Sequence, residues 1–230
     1  MRELGRDSRA VSGTLIGLVV LVVLGTSGRV GPIDRSDVTF PTADGGEIHA
    51  LLYGSGDQTV VLAHGMVFDK ESWAPLVPRL VEAGLQVLAI DFRGYGESRP
   101  GRAGGELDLD IVGAVEFLRE QGANRISLLG ASMGGGAVAR AAVRLAPGEI
   151  DRLILLAPVA ISHPDRMRAD RIIYISAAGD PSIERTRDQF ARAPEPKRLE
   201  LLPGEAHAQH LFKTDQSDAL VELIVTALKD

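Results

Sequence analysis

The sequence predicts an α/β fold: three layers, helix, sheet and helix, built on a mostly parallel sheet with an antiparallel hairpin at its N-terminal edge. Three observations carry this. Short apolar runs recur along the chain, and helical stripes separate them. Most of the runs are continuous rather than alternating, as in strands buried on both faces. Length agrees, because 230 residues at 45% hydrophobic content can bury one sizeable core.

Taken in order, residues 1–30 stand apart. "MRELGRDSR" carries three arginines against two acids, residues 10–28 hold no charge, and Arg29 follows. A basic flank before an apolar run reads as a signal peptide or a membrane anchor. Leu15 to Leu24 suits the apolar region of a signal. The whole run approaches the roughly 20 residues that span hydrocarbon. Cleavage after Ser27 and retention with Arg2, Arg6 and Arg9 inside both fit. The expectation is an extracytoplasmic protein, secreted or tethered to the membrane through residues 10–28. Residues 31–230 contain no linker, charge block or repeat and read as one domain.

"DVTFPTADGGEIHALLY" then reads as a hairpin turning at Asp44-Gly45-Gly46. "TVVLA" from Thr59, "QVLAI" from Gln86, "RISLL" from Arg125, "RLILLA" from Arg152, "RIIYIS" from Arg171 and "RLELL" from Arg198 read as strands. Trp73, Leu76, Val77, Leu80 and Val81 predict a helix ended by Gly84. Ile111, Val115 and Leu118 predict a second, stopped near Gly122. Leu220, Leu223, Ile224, Ala227 and Leu228 predict a third.

Charge and composition exclude several functions. The net charge is −6, and the first thirty residues hold four arginines and two acids, so about −8 falls on the rest. That opposes a nucleic-acid partner, which needs a basic face. With no cysteine, disulfides, thiolate catalysis and cysteine zinc sites are absent. No cofactor or metal is implied.

Ligands of open α/β sheets bind beyond the carboxyl ends of the strands. The stretch "LLGASMGGG", Leu128 to Gly136, lies there. It lacks the lysine of a phosphate-binding loop, and Ser132 stands where a dinucleotide fingerprint needs glycine. Gly130-Ala131-Ser132-Met133-Gly134 instead fits Gly-x-Ser-x-Gly, a nucleophile on a tight strand-to-helix turn. The flanking glycines relieve crowding, and the helix start directs free N–H groups at a forming oxyanion. The alternative is helix packing through small residues.

A serine hydroxyl needs a base. Of five histidines, His49 falls in the hairpin, His64 closes a strand in a loop-shaping position, and His163 follows the fifth run. His207 and His210 follow the last strand, and His207, first after Pro203-Gly204, is preferred. The imidazole needs a carboxylate to hold its tautomer. Asp180, in the Gly-Asp-Pro loop after "RIIYIS", is the candidate. Its alternative role is to shape a turn or cap the helix near Ser182, and Asp91 is the reserve. The order Ser132, Asp180, His207 suits this architecture. The backbone N–H groups of Met66 and Met133 are the oxyanion-hole candidates, with the Met side chains free to line an acyl pocket.

With these residues assembled, the chain resembles the α/β-hydrolase superfamily over residues 38–230. The resemblance rests on "HGM" at 64–66, "DFRGYGES" at 91–98, "GASMG" at 130–134, "GD" at 179–180 and His207. It implies an acyl-enzyme serine hydrolase of ester-like substrates, with Asp91 and Arg93 bracing the oxyanion loop. "VAISHPDRMRAD", 159–170, leaves no room for a helical lid. The chain is therefore similar to the small esterase and dienelactone-hydrolase-like branches, with a small-molecule acyl ester as substrate. A peptidase, thioesterase or acyltransferase would use the same triad. A non-catalytic binding module, or a tethered interaction protein, would leave it idle.

Overall fold

Strand residues alternate between two cores. On β3 (Gln58–Ala63), Val61 and Ala63 face one hydrophobic cluster while Val60 and Leu62 face another. β4 (Gln86–Ile90) divides likewise, Leu88 and Ile90 against Val87 and Ala89, and so does β6 (Arg152–Leu156). Successive side chains of a strand point to opposite faces. A strand apolar at every position must therefore lie between two apolar layers. The structure, a computed structural model, describes residues 33–230 and the terminal Met1.

Its sheet has eight strands in the order β1-β2-β4-β3-β5-β6-β7-β8. The others are β1 (Arg35–Pro41), β2 (Glu47–Tyr53), β5 (Arg125–Ala131), β7 (Arg171–Ala177) and β8 (Lys197–Leu202). β1 with β2 and β2 with β4 are antiparallel, and the remaining pairs are parallel. The expected edge hairpin thus forms, turning through Gly45 at φ +86°. One face is covered by α2 (Asp108–Glu120), α3 (Met133–Arg144) and α4 (Ile183–Arg192). The other is covered by α1 (Val77–Glu82) and α5 (Ser217–Lys229). The chain leaves β3 toward β4 on one side, then returns to place β5 on the other. The order reverses between β3 and β5, and a reversal opens a crevice at the strand C-termini. Residues 64–68 and Ser132 follow those two strands.

Two expectations need correction. The stripe from Trp73 to Val81 is not one helix. It is a 3-10 turn, Lys70–Trp73, followed by α1. Pro75 and Pro78 have no N–H to donate, so a continuous ladder breaks, and Pro78 occupies the first turn of α1, where no donor is needed. The second correction concerns the membrane. Among the described residues no helix is long and apolar enough to cross one. Residues 10–28, on which the signal peptide, the anchor and the extracytoplasmic location all stood, lie outside the described residues. Nothing among the described residues supports the expected location outside the cytoplasm.

Candidate active site

β5 runs straight into α3 through Ser132, whose backbone takes φ +49° and ψ −109°. This region favours glycine and is unfavourable for any residue with a Cβ. It is held from several sides. Ser132 N–H donates to Leu156 O, and Ser132 O accepts from Gly136 N–H and Val159 N–H. The turn brings chain into chain. A Cβ on Gly130 would lie 2.3 Å from Gly134 O, and one on Gly134 would lie 2.2 Å from Ala63 O and 2.7 Å from His64 O. The first glycine clears the turn itself. The second clears the end of β3, which no pairwise reading of the motif supplies. Gly134→Ala is expected to lower stability by about 3 kcal/mol or more, because the obstructing atoms are backbone. Thermal melting would show a fall of roughly 6–12 °C. Gly105→Ala is the control, since its Cβ would meet nothing within 4 Å.

Ser132 Oγ lies 2.9 Å from His207 Nε2, and His207 Nδ1 lies 2.8 Å from Asp180 Oδ2. His207 ends the loop after β8, and Asp180 the loop after β7. The loops are laced together by Ala178 N–H to Leu202 O and Gly179 N–H to Gly204 O, both at 2.8 Å. Asp180 is buried, while the His207 side chain keeps 35% exposure. Asp180 also does what its turn reading anticipated. Its Oδ1 accepts from Ser182 N–H at 2.6 Å and Ser182 Oγ–H at 2.7 Å. One carboxylate oxygen shapes the turn and the other faces the imidazole.

The other histidines are placed elsewhere. His49 sits in the hairpin beside Glu47 and Thr39. His163 lines a separate hollow with Asp108, Arg140 and Arg144. His210 borders the same cavity as Ser132 but packs on Phe68, ring centres 5.0 Å apart. His64 is fully buried, and burial lowers its pKa, keeping it neutral. Its tautomer is fixed by its neighbours. Nδ1–H donates to Gly65 O at 2.8 Å, and Nε2 accepts from Phe92 N–H at 3.2 Å.

That contact sets the loop after β3, which carries Met66. Gly65 O also accepts from Phe68 N–H at 3.0 Å. In a trans peptide the C=O and the following N–H point oppositely. Pinning Gly65 O therefore turns Met66 N–H the other way. Neither Met66 N–H nor Met133 N–H has an acceptor among the described residues. Met66 and Val67 are exposed, at 66% and 72%. With Phe68 they wall a cavity of about 290 Å³ that opens onto Ser132 and His207.

The bracing differs from expectation. Asp91 takes part. It is fully buried and accepts from Lys70 N–H at 2.8 Å and Lys70 Nζ at 2.6 Å, just after the loop. It does not reach His207, whose carboxylate partner is Asp180. Arg93 points away. It donates to Asp110 Oδ1 at 2.7 Å, to both oxygens of Asp44 at 2.9 and 3.0 Å, and to Gly104 O. Burial pushes Asp110 up to about 6 against the pull of Arg93, while Arg93 and Thr42 hold Asp44 well below the usual carboxyl range. This cluster ties the hairpin turn to α2. The brace that sequence missed is Tyr95. Its hydroxyl donates to Met66 O at 2.9 Å, and its ring packs on His64. Tyr95 is flanked by Gly94 and Gly96, both at positive φ. Among the described residues no group of three or more His, Asp or Glu is placed to hold a metal ion.

The family model for serine aminopeptidase, S33, matches residues 54–179, more than half of the chain. The chain belongs to the S33 family. The S33 match includes Ser132 but stops one residue before Asp180 and well before His207. Among curated proteins, the chain is 33% identical over 120 residues to the dihydrolipoyllysine-residue acetyltransferase component of an acetoin cleaving system from Cupriavidus necator. That alignment covers 52% of this chain and 32% of that protein. The chain spans less than half the length of the first curated relatives it matches. Among solved structures, the Pyrococcus furiosus esterase Pf2001 aligns with a TM-score of 0.73 at 19% identity, over 86% of this chain and 91% of that one. A dienelactone hydrolase from Anabaena variabilis aligns at 0.70 and 20%, over 86% and 97%. These likenesses show the fold. This S33 member is a lidless α/β-hydrolase. Between β6 and β7, residues 157–170 hold only the 3-10 turn Pro164–Arg166.

Proposed function

We propose that the protein is a serine hydrolase of carboxylic esters, working through Ser132, His207 and Asp180. The observation that supports it is the continuous chain of contacts, 2.9 Å and then 2.8 Å, from hydroxyl to imidazole to buried carboxylate. His207 Nε2 takes the Ser132 proton as Oγ adds to the ester carbonyl. The N–H groups of Met66 and Met133, both without an acceptor among the described residues, stabilise the oxyanion. One such donor is commonly worth about 3 kcal/mol. The tetrahedral species collapses, and the alcohol leaves with the proton from His207. Water then gives its proton to the same imidazole, adds to the acyl-enzyme carbonyl, and releases the acid and Ser132.

The apolar wall of Met66, Val67 and Phe68 and the volume of about 290 Å³ suit small to medium acyl groups. The family's description raises a second reading, an aminopeptidase using the same triad. Such an enzyme meets a free α-ammonium with a carboxylate. Among the described residues the cavity is lined by Gly65, Met66, Val67, Phe68, Ser132, His207, Ala208 and His210, none of them acidic, which favours the ester. The test is a fluorophosphonate probe followed by mass mapping, with p-nitrophenyl esters and aminoacyl amides as substrates. Label on Ser132 and turnover of short esters over amides is the expected result. An unlabelled, inert protein would overturn the reading. Preferred turnover of aminoacyl amides would replace it with the peptidase.

A further inference from the structure

His207 and Gln209 stand two residues apart and reach different partners. Ala208 between them is buried and takes φ +49°, a conformation unfavourable for a residue with a Cβ. That twist lets His207 face Ser132 while Gln209 turns inward. Gln209 is 2% exposed, and both ends of its amide are used. Oε1 accepts from Gly65 N–H at 2.7 Å, and Nε2 donates to Ser72 Oγ at 2.7 Å. A backbone N–H can only donate, so the amide oxygen must face Gly65. Ser72 Oγ–H passes on to Asp69 O, and Ser72 N–H donates to Asp69 Oδ1 at 2.9 Å. Gln209 therefore bridges the loop carrying His207, the loop carrying Met66, and the 3-10 turn that follows it.

We infer that Gln209 is a positioning residue, setting the oxyanion loop from the base-bearing loop. Gly65 sits between two peptide planes. Its carbonyl side is pinned by His64 and Phe68, and its N–H side by Gln209. The first plane carries Met66 N–H. The two planes meet at the Gly65 Cα, so holding the second adds to the His64 and Phe68 contacts that orient the first. One side chain thus couples the distance between base and nucleophile to the direction of the oxyanion donor. Both matter more as charge develops than when substrate first binds. A buried amide spanning 144 and 137 residues of sequence would otherwise be a costly way to fill space.

This inference rests on the ester-hydrolase reading, and its test separates the two. Gln209→Met keeps size and removes both bonds. It is expected to lower kcat by about 10- to 100-fold while KM moves less than about threefold. The dissociation constant of an alkylboronic acid, which forms a tetrahedral adduct on Ser132, is expected to rise by the same factor as kcat/KM falls. Ser72→Ala, which frees only the far end of the amide, is expected to cost about two- to fivefold with the same parallel, and it decides the matter where Gln209→Met does not fold. Gln209→Glu keeps an acceptor for Gly65 N–H and is expected to recover most of the kcat lost in Gln209→Met. A lower melting temperature with kcat and boronate affinity unchanged would overturn the inference, as would equal losses in KM and boronate affinity. A parent protein that neither labels with fluorophosphonate nor turns over esters would sink the hydrolase reading itself, and this inference with it.

Discussion

Ser132→Ala is expected to reduce kcat/KM toward a p-nitrophenyl ester by about 10⁵-fold or more and to abolish fluorophosphonate labelling, without unfolding the protein. Among the described residues nothing else in the cavity replaces the hydroxyl. The other groups lining it are apolar side chains, imidazoles and backbone. His207→Ala is expected to cost nearly as much, since a serine without a base is a weak nucleophile. The two changes together should cost little more than either alone, because they act as one unit. The stability readout gives an independent check. Ser132→Ala keeps a Cβ at φ +49° and ψ −109°, so its melting temperature should stay near that of the parent. Ser132→Gly removes that Cβ and should be at least as stable while equally inactive. A variant lacking the hydroxyl that retained turnover would remove Ser132 from the chemistry.

Much of this arrangement is legible in sequence because burial and chain order write it there. β3, β4 and β6 are apolar at nearly every position since each lies between two cores. Ser132, Asp180 and His207 follow strand ends, where a parallel sheet brings loops together. α4 left no such trace. Its buried positions include Thr186 and Gln189, which carry no apolar stripe. Tyr95, Arg93 and Gln209 were illegible for another reason. Their partners lie 29, 49 and 144 residues away, and which way each points depends on backbone twists, such as that at Ala208, with no residue-type signal. Arg93 shows the cost of carrying a role over by motif. It lies in the right loop, but its guanidinium serves Asp44 and Asp110.

Asp180→Asn is expected to lower kcat by about 10³- to 10⁴-fold, and the local bonding gives the reason. Asp180 Oδ1 accepts from two donors, Ser182 N–H and Ser182 Oγ–H. An asparagine must keep its single oxygen there or face N–H with NH₂. The NH₂ group is then forced to the Oδ2 position, 2.8 Å from His207 Nδ1. Nδ1 must become the acceptor, so the proton moves to Nε2, and the imidazole presents N–H to Ser132 Oγ instead of a lone pair. The base is blocked by its own tautomer with its place in the site unchanged. Ser182→Ala removes only the hydroxyl donor. In the double variant with Asp180→Asn the amide is less firmly oriented, and a partial recovery of about threefold or more over Asp180→Asn alone is the expected signature. Fluorophosphonate labelling rates in the three variants measure it directly. If Asp180→Asn labelled as fast as the parent, Asp180 would be only the turn-former that its contacts with Ser182 describe.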